Sequence, residues 1–305
     1  MRRLGQVDRL VTVARLIANA DDFGLTAGVN RAILELHGAG VLTSATLMAG
    51  AAASEDAIRQ ALAQPSLGVG CHVVLVDGKP LLAQEHEIPH LAEAATGRLR
   101  PTLGRFLRWL AGLEDRTTAR QRGEQIEAEA LAQIRHLQQQ GIRLTHLDAH
   151  KHVHMFPPVL RAVARAAHQA GIACIRNPFE PRWSIAATPE AAWLRRFEVS
   201  VLRHLESRFQ AIVAEAGLTT TSGALGIAVT GSLTRQTVQR LVAALPSEGV
   251  YELVTHPGYS DADLARVRTR LLESREVERE ALGALDGTDT ELISFAALPQ
   301  AHPAQ

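Results

Sequence analysis

The chain has 305 residues, enough for one large α/β domain, and 46% of them are hydrophobic, enough to bury a sizeable core. Lys plus Arg and Asp plus Glu balance at 32 each, so no net field favours nucleic acid or an anionic membrane. Cys71 and Cys174 have neither metal-ligand spacing nor a disulfide framework, and no stretch approaches the roughly 18 apolar residues of a membrane span.

Residues 1–13 read as a loose N-terminal extension, because Asp8, Arg9 and Arg15 break any secretory apolar stretch near the start. Over 14–296, apolar β-branched runs alternate with stretches of helical period. Strands are predicted at 15–20, 42–49, 67–75, 144–147, 173–176, 225–230, 251–255 and 291–295. Helices fall between them: 27–37, with Thr26 as N-cap and Gly38 and Gly40 as stops, then 54–63, 118–140, 157–170, 191–216, 234–244 and 261–282. Two long loops, 76–116 and 177–190, interrupt the rhythm, and the first carries a short amphipathic segment at 103–113. Residues 297–305 look like a flexible tail. The reading is a single α/β domain with a barrel-like, mostly parallel sheet. A doubly wound open sheet is the competitor, but it places a Gly-rich phosphate loop where this chain has Asp21-Asp22-Phe23-Gly24.

That first strand end sets two carboxylates side by side, which is costly unless a cation or a shared proton compensates. The third strand, GVGCHVVL, carries His72 inside an apolar run. The fourth reads THLDAHKHVHMFPP and puts His146, Asp148, His150, His152 and His154 within nine residues, four of the chain's 13 histidines. Alternation sends His146, Asp148 and His150 to one face while the strand persists. Imidazole is the commonest side-chain metal ligand, and carboxylates orient imidazoles from behind. The seventh strand ends ELVTHPGY, so His256 also falls at a C-terminal strand end. Four strands thus deliver titratable side chains to the rim where barrel chemistry collects.

At these residues the chain resembles the YdjC-like carbohydrate deacetylases, the family of chito-oligosaccharide deacetylases. The matching pieces are IANADDFGLTAGVNRAI, GVLTSATLM, LGVGCHVVLVDGKPLL, THLDAHKHVHMFP and the late THPG. HVVLVDGKPLL, IRNPFEP and HPGYSDADL followed by TRLLESREVE resemble the subgroup associated with hopanoid biosynthesis. The resemblance implies a (β/α) barrel related to the TIM barrel and hydrolysis of an N-acetyl group on an amino sugar, lipid-linked if the subgroup holds. It implies a divalent metal ion, Mg2+ or Zn2+, on Asp22, His72 and His150. Asp21 matches the general base, His256 takes the general-acid position, and Arg176 orients or neutralises the base. Lys151 stands where relatives often carry another His; on an extended strand it should point away from the metal.

Three protein ligands leave room for water and substrate. The expected partners are an acetylated amino sugar and a second copy in a homodimer, with no nucleic acid and no transmembrane segment. The expected location is the cytoplasm, peripheral to the inner membrane if the substrate is lipid-linked. For such a lipid, Phe106, Trp109, Trp183 and Trp193 are candidates for an apolar surface. A metal phosphoesterase and a non-catalytic carbohydrate-binding protein are the competing functions.

Overall fold

The first strand, β1 (Arg15–Phe23), is buried at every residue after Arg15, as expected of a parallel strand covered on both faces. Alternation sorts its side chains. Leu16, Ala18 and Ala20 belong to the large apolar cluster, whereas Ile17 joins Cys174, Val250, Phe295 and Leu298 in a separate small one. Asn19 and Asp21 follow on the Ile17 side, which lines the inside of the curled sheet. The structure is a computed structural model that describes residues 14–83, 87–112 and 116–298. The expected extension over 1–13 and all but the first two residues of the expected tail lie outside them.

The other strands are β2 (Ser44–Leu47), β3 (Gly68–Val73), the small antiparallel pair β4 (Ala92–Glu93) and β5 (Arg98–Leu99), β6 (Leu147–Ala149), β7 (Gly223–Leu225), β8 (Val250–Thr255) and β9 (Glu291–Leu292). The main sheet runs β6-β3-β2-β1-β8-β7, with β9 beside β1, and every pairing in it is parallel. Single bridges from Leu147 to Ile175 and from Cys174 to Thr219 carry the pairing onward from β6 toward β7. The sheet therefore curls round on itself as a (β/α) barrel, as expected from the sequence. The open doubly wound alternative is set aside.

The helices are α1 (Ala27–Gly38), α2 (Ser54–Leu62), α3 (Leu103–Leu110), α4 (Arg116–Gln139), α5 (Pro157–Gln169), α6 (Arg182–Ala187), α7 (Trp193–Leu202), α8 (Glu206–Glu215), α9 (Arg235–Ala243) and α10 (Ser274–Ala281). Thr26 caps α1 by accepting from the Val29 N–H, as predicted. The long loop after β3 is fastened to α4 by side chains. Glu129 accepts the N–H groups of Leu81 and Leu82 at 2.8 and 3.0 Å, Gln125 those of His90 and Leu91, and Gln133 bonds both backbone polar groups of Val74.

Beyond shifted strand ends (β6 begins only at Leu147, β9 stops at Leu292) and the short helix α6 inside the expected loop 177–190, four elements differ from expectation. The run at 225–230 is not a strand beyond Leu225: Gly226 turns at φ 88° and the buried Glu180 carboxylate grips the N–H groups of Gly226 and Ala228. The expected strand at 173–176 contributes only the two bridges. The helix expected over 191–216 breaks at a 3-10 turn, Arg203–Leu205, between α7 and α8. The one expected over 261–282 shrinks to a 3-10 turn at Leu264–Arg266, where the Leu264 N–H donates to Asp261 Oδ1, and then α10.

Candidate active site

Adjacent strand residues point to opposite faces, so Asp21 and Asp22 should not share a site. They do, because β1 breaks register against β2 between Ala20 and Phe23 and Asp22 sits at φ 64°. Asp tolerates this left-handed conformation better than most residues, and the bulge re-aims its side chain onto the rim. Asn30, fully buried on α1, holds the turn. Its Oδ1 accepts the Gly24 N–H at 2.7 Å, and its Nδ2 donates to Ala53 O and Asp56 Oδ2. Gly24 itself is at φ 97° against the Ser54 backbone, where a Cβ would come within 3.1 Å.

Asp22, His72 and His150 meet at the rim. Asp22 Oδ1 lies 3.4 Å from His150 Nδ1 and 3.6 Å from His72 Nε2, and the two nitrogens are 3.3 Å apart. On the far side His72 Nδ1 meets Asp148 Oδ1 at 2.8 Å, a pairing that the β3–β6 register dictates by placing His72 opposite Asp148. An acceptor carboxylate there puts the proton on Nδ1 and turns the Nε2 lone pair toward the site. Asp22 Oδ1 has no hydrogen-bond partner. Asp22 Oδ1, His72 Nε2 and His150 Nδ1 thus converge within 3.6 Å of one another.

Behind this group Arg176 is completely buried and serves three carboxylates. Its Nη1 and Nη2 donate to the two oxygens of Asp21 at 2.9 and 2.6 Å, Nε and Nη2 donate to Glu252 Oε1 at 2.8 and 2.6 Å, and Nη1 also pairs with Asp148. Thr46 bridges the interior, 3.1 Å from Asp21 Oδ1 and 3.2 Å from His72 Nδ1. His256 completes the rim: its Nε2 is 3.7 Å from Asp21 Oδ2 and its Nδ1 3.7 Å from Glu278, which also accepts the His256 N–H.

Charge explains the protonation pattern. Burial opposes ionisation of Asp21 and Asp22, but Arg176 beside the first and Arg275 beside the second hold both well below the usual carboxylate range. Burial likewise opposes a charge on His72, yet Asp148 and Asp21 outweigh it and push its pKa up to about 9, so a cation at Nε2 has to displace a proton there. Glu252 is pushed up to about 7 by burial, which Arg176 only partly offsets. Burial acts against a charge on His256 too, but Glu278 and Asp21 prevail and raise its pKa. The pocket draws in positive charge beyond what two arginines supply. Asp22, His72 and His150 offer one oxygen and two nitrogens at the spacing of ligands around one small ion, about 3.4 Å for four bonds of about 2.1 Å. The donor set, its spacing and the orphaned Oδ1 all fit a divalent cation. A second grouping, Asp21, His72 and Asp148, is compact too, but Arg176 already occupies both of its carboxylates.

The remaining histidines of the fourth strand stand apart. His146 points inward as expected but stacks on Phe295, ring centroids 3.7 Å apart, beneath the site. The strand ends at Ala149, and Lys151 and His152 turn at φ 56° and 53°, so alternation stops before it reaches them. Lys151 pairs with Asp77 at 2.5 Å. His154 is buried against the Arg176 carbonyl. Sequence reasoning missed Glu252, Glu278, Arg275, Thr46 and Asn30. A lone Glu in the apolar strand YELVT was a signal for the first; the others carried none. Of the four aromatic candidates, Phe106 is buried, Trp109 lies under Arg100 and Arg122, Trp183 packs edge-on to Tyr251, and Trp193 is 78% exposed.

The chain is similar to known proteins. The family model described as YdjC-like protein matches residues 15–286. A carbohydrate deacetylase of Brevibacillus brevis (strain 47 / JCM 6285 / NBRC 100599) is 34% identical over 247 residues, 81% of this chain and 82% of its own length. Among solved structures, an Enterococcus faecalis V583 protein named for cellobiose-phosphate cleavage has a TM-score of 0.71 at 24% identity, over 93% of this chain and 98% of its own. The lactam utilization protein of Thermus thermophilus has a TM-score of 0.50 at 16% identity, over 92% of this chain and 99% of its own. At such identities these two speak to the fold alone.

Proposed function

The chain belongs to the YdjC-like family, and from that premise we propose that it is a metal-dependent hydrolase that removes the N-acetyl group from an amino sugar. The observation that carries the reading is the convergence of Asp22 Oδ1, His72 Nε2 and His150 Nδ1 beside Asp21 and His256. The carbohydrate deacetylase relative supplies the substrate class. Asp22, His72 and His150 would hold the ion, and the mixed N/O donor set suits zinc while leaving Mg2+ as the alternative. When bound, the ion supplies Lewis acidity to an amide carbonyl and lowers the pKa of a water.

The chain's own groups do the rest. Asp21 accepts the proton of the attacking water at the oxygen that faces His256. Arg176 fixes both Asp21 oxygens, which orients the carboxylate and makes it a weak base. His256, its pKa raised against burial by Glu278 and Asp21, carries a proton that it delivers to the departing nitrogen, since an amide nitrogen leaves poorly as an anion. The products are acetate and a free amine. A two-metal phosphoesterase loses support because Arg176 fills the second carboxylate group.

The substrate is a lipid-linked amino sugar in this reading. Trp193, Leu194, Phe197 and Val201 are all exposed on α7, and Arg195 ties that helix to the carbonyl of Ile227, just past the C-terminal end of β7, where the site lies. Among the described residues no helix is long and apolar enough to cross a membrane, so contact with the lipid falls to such a surface. The test is acetate release by metal-reconstituted protein from N-acetylglucosaminyl hopanoid and from N,N′-diacetylchitobiose. Release from the hopanoid supports the full reading. Release from chitobiose alone removes the lipid, and release from neither with metal bound refutes the deacetylase.

A further inference from the structure

Arg275 enters the site from α10, 253 residues after the carboxylate it serves. Its Nη2 donates to Asp22 Oδ2 at 2.5 Å, with the two side chains 1% and 4% exposed. That bond occupies one carboxylate oxygen and leaves the other, Oδ1, facing His72 and His150. We propose that Arg275 is a positioning residue that confines Asp22 to one-oxygen ligation and so decides which ions the site accepts. The inference rests on the metal reading above.

The physical reason lies in what ions demand. Ca2+ takes six to eight oxygens and often both oxygens of a carboxylate, whereas Zn2+ is content with four N and O donors. Two imidazoles and one carboxylate oxygen satisfy the second and starve the first. Neither partner is free to change this. Asp22 is fixed by its left-handed backbone and by the turn that Asn30 clamps. Arg275 lies against Gly258, where an added Cβ would meet its Cδ at 3.0 Å, and its own carbonyl accepts the Gly258 N–H. The same helix sends Glu278 to His256, so α10 reaches the ligand side and the acid side of the site together.

The experiment strips the full chain of metal and titrates Zn2+ and Ca2+ separately against a chromophoric chelator. In Arg275→Gln the Zn2+ to Ca2+ affinity ratio falls at least tenfold, because Zn2+ loses an oriented ligand and Ca2+ gains an oxygen; losing such outer support typically costs about 10–100-fold in metal affinity. Arg275→Lys keeps one donor on Oδ2 and holds the ratio within about threefold of the parent. Two affinities that fall together in the Gln variant, at constant ratio, overturn the proposal and leave Arg275 a mere support for α10. Should that variant fail to fold, a zinc-soaked crystal of the parent protein decides: one Asp22 oxygen on the metal upholds the proposal, two overturn it. A parent protein that binds neither ion brings down the metal reading itself, and this inference with it.

Discussion

Asp148→Asn tests the site at its most constrained point. The substitution keeps shape and volume, yet no orientation of the new amide suits the pocket. Asp148 accepts from His72 Nδ1 through Oδ1 and from Arg176 Nη1 through Oδ2. If the amide NH2 faces Arg176, two donors collide. If it faces His72, the imidazole must surrender its Nδ1 proton and carry it on Nε2, which removes the lone pair aimed at Asp22 and His150. Loss of an orienting carboxylate behind a ligating histidine costs roughly 10–100-fold in metal affinity, about 1.4–2.8 kcal/mol. Arg176 keeps Asp21 and Glu252 as partners, so the fold should lose less than the roughly 3–5 kcal/mol of a fully orphaned buried ion pair. The assay is Zn2+ affinity by competition with a chelator, paired with chemical denaturation of the metal-free protein. An affinity within about twofold of the parent would refute the claim that Asp148 sets the His72 tautomer.

Asp21→Asn should lower kcat by about 10²–10⁴-fold while metal content, measured by elemental analysis, stays at the parental level; retained turnover sinks the base assignment. Asn30→Ala orphans the Gly24 N–H, whereas the Ala53 carbonyl keeps the Ala57 N–H, and should cost about 1–3 kcal/mol in denaturant titrations. His154 supplies the pH prediction. Burial, only partly countered by Asp148, lowers its pKa from 6.5 to about 4. The unfolded chain therefore binds the extra proton, so this stability is complete above pH 6.5 and is lost as pH falls from 6.5 through 4. Between pH 7 and pH 4 the parent should lose about 3 kcal/mol more than His154→Gln; parallel stability curves would show that His154 is not held neutral.

Three of the candidate site residues, His72, Asp148 and Asp21, were legible because strand geometry dictates their direction. His72 and Asp148 sit on strands at matched register, and Asp21 follows the inward parity of Ile17 and Asn19. Alternation also separates Asp21 from Asp22, and there sequence logic stops: the bulge that reunites them is a left-handed residue that only the packing around Asn30 and Ser54 selects. The same limit hid the turn at Lys151 and His152. Arg275 and Glu278 were invisible for a different reason. On α10 they read as ordinary surface charges of a polar helix, SREVEREA, and only the return of that helix across the rim buries them. Similarly, the apolar stretch after Leu225 has the composition of a strand, and it takes the distant Glu180 carboxylate to fold it into a turn.

The barrel interior follows from the same accounting of charge. Its floor is apolar, closed by Ile17, Cys174, Val250, Phe295 and Leu298. Above it the inward positions turn polar and carry Asp21, Asp148 and Glu252, each nearly or completely buried. Carboxylates in such a place need cations within contact distance, and a single lysine would answer only one or two of them as a point charge. The planar guanidinium of Arg176 presents donors along two edges, which is why one residue can serve three acceptors from β1, β6 and β8 at once. Asp22 takes Arg275 on Oδ2, and its Oδ1 faces His72 and His150 without a hydrogen-bond partner. Three carboxylates thus share one guanidinium just behind the strand ends where Asp22, His72 and His150 meet.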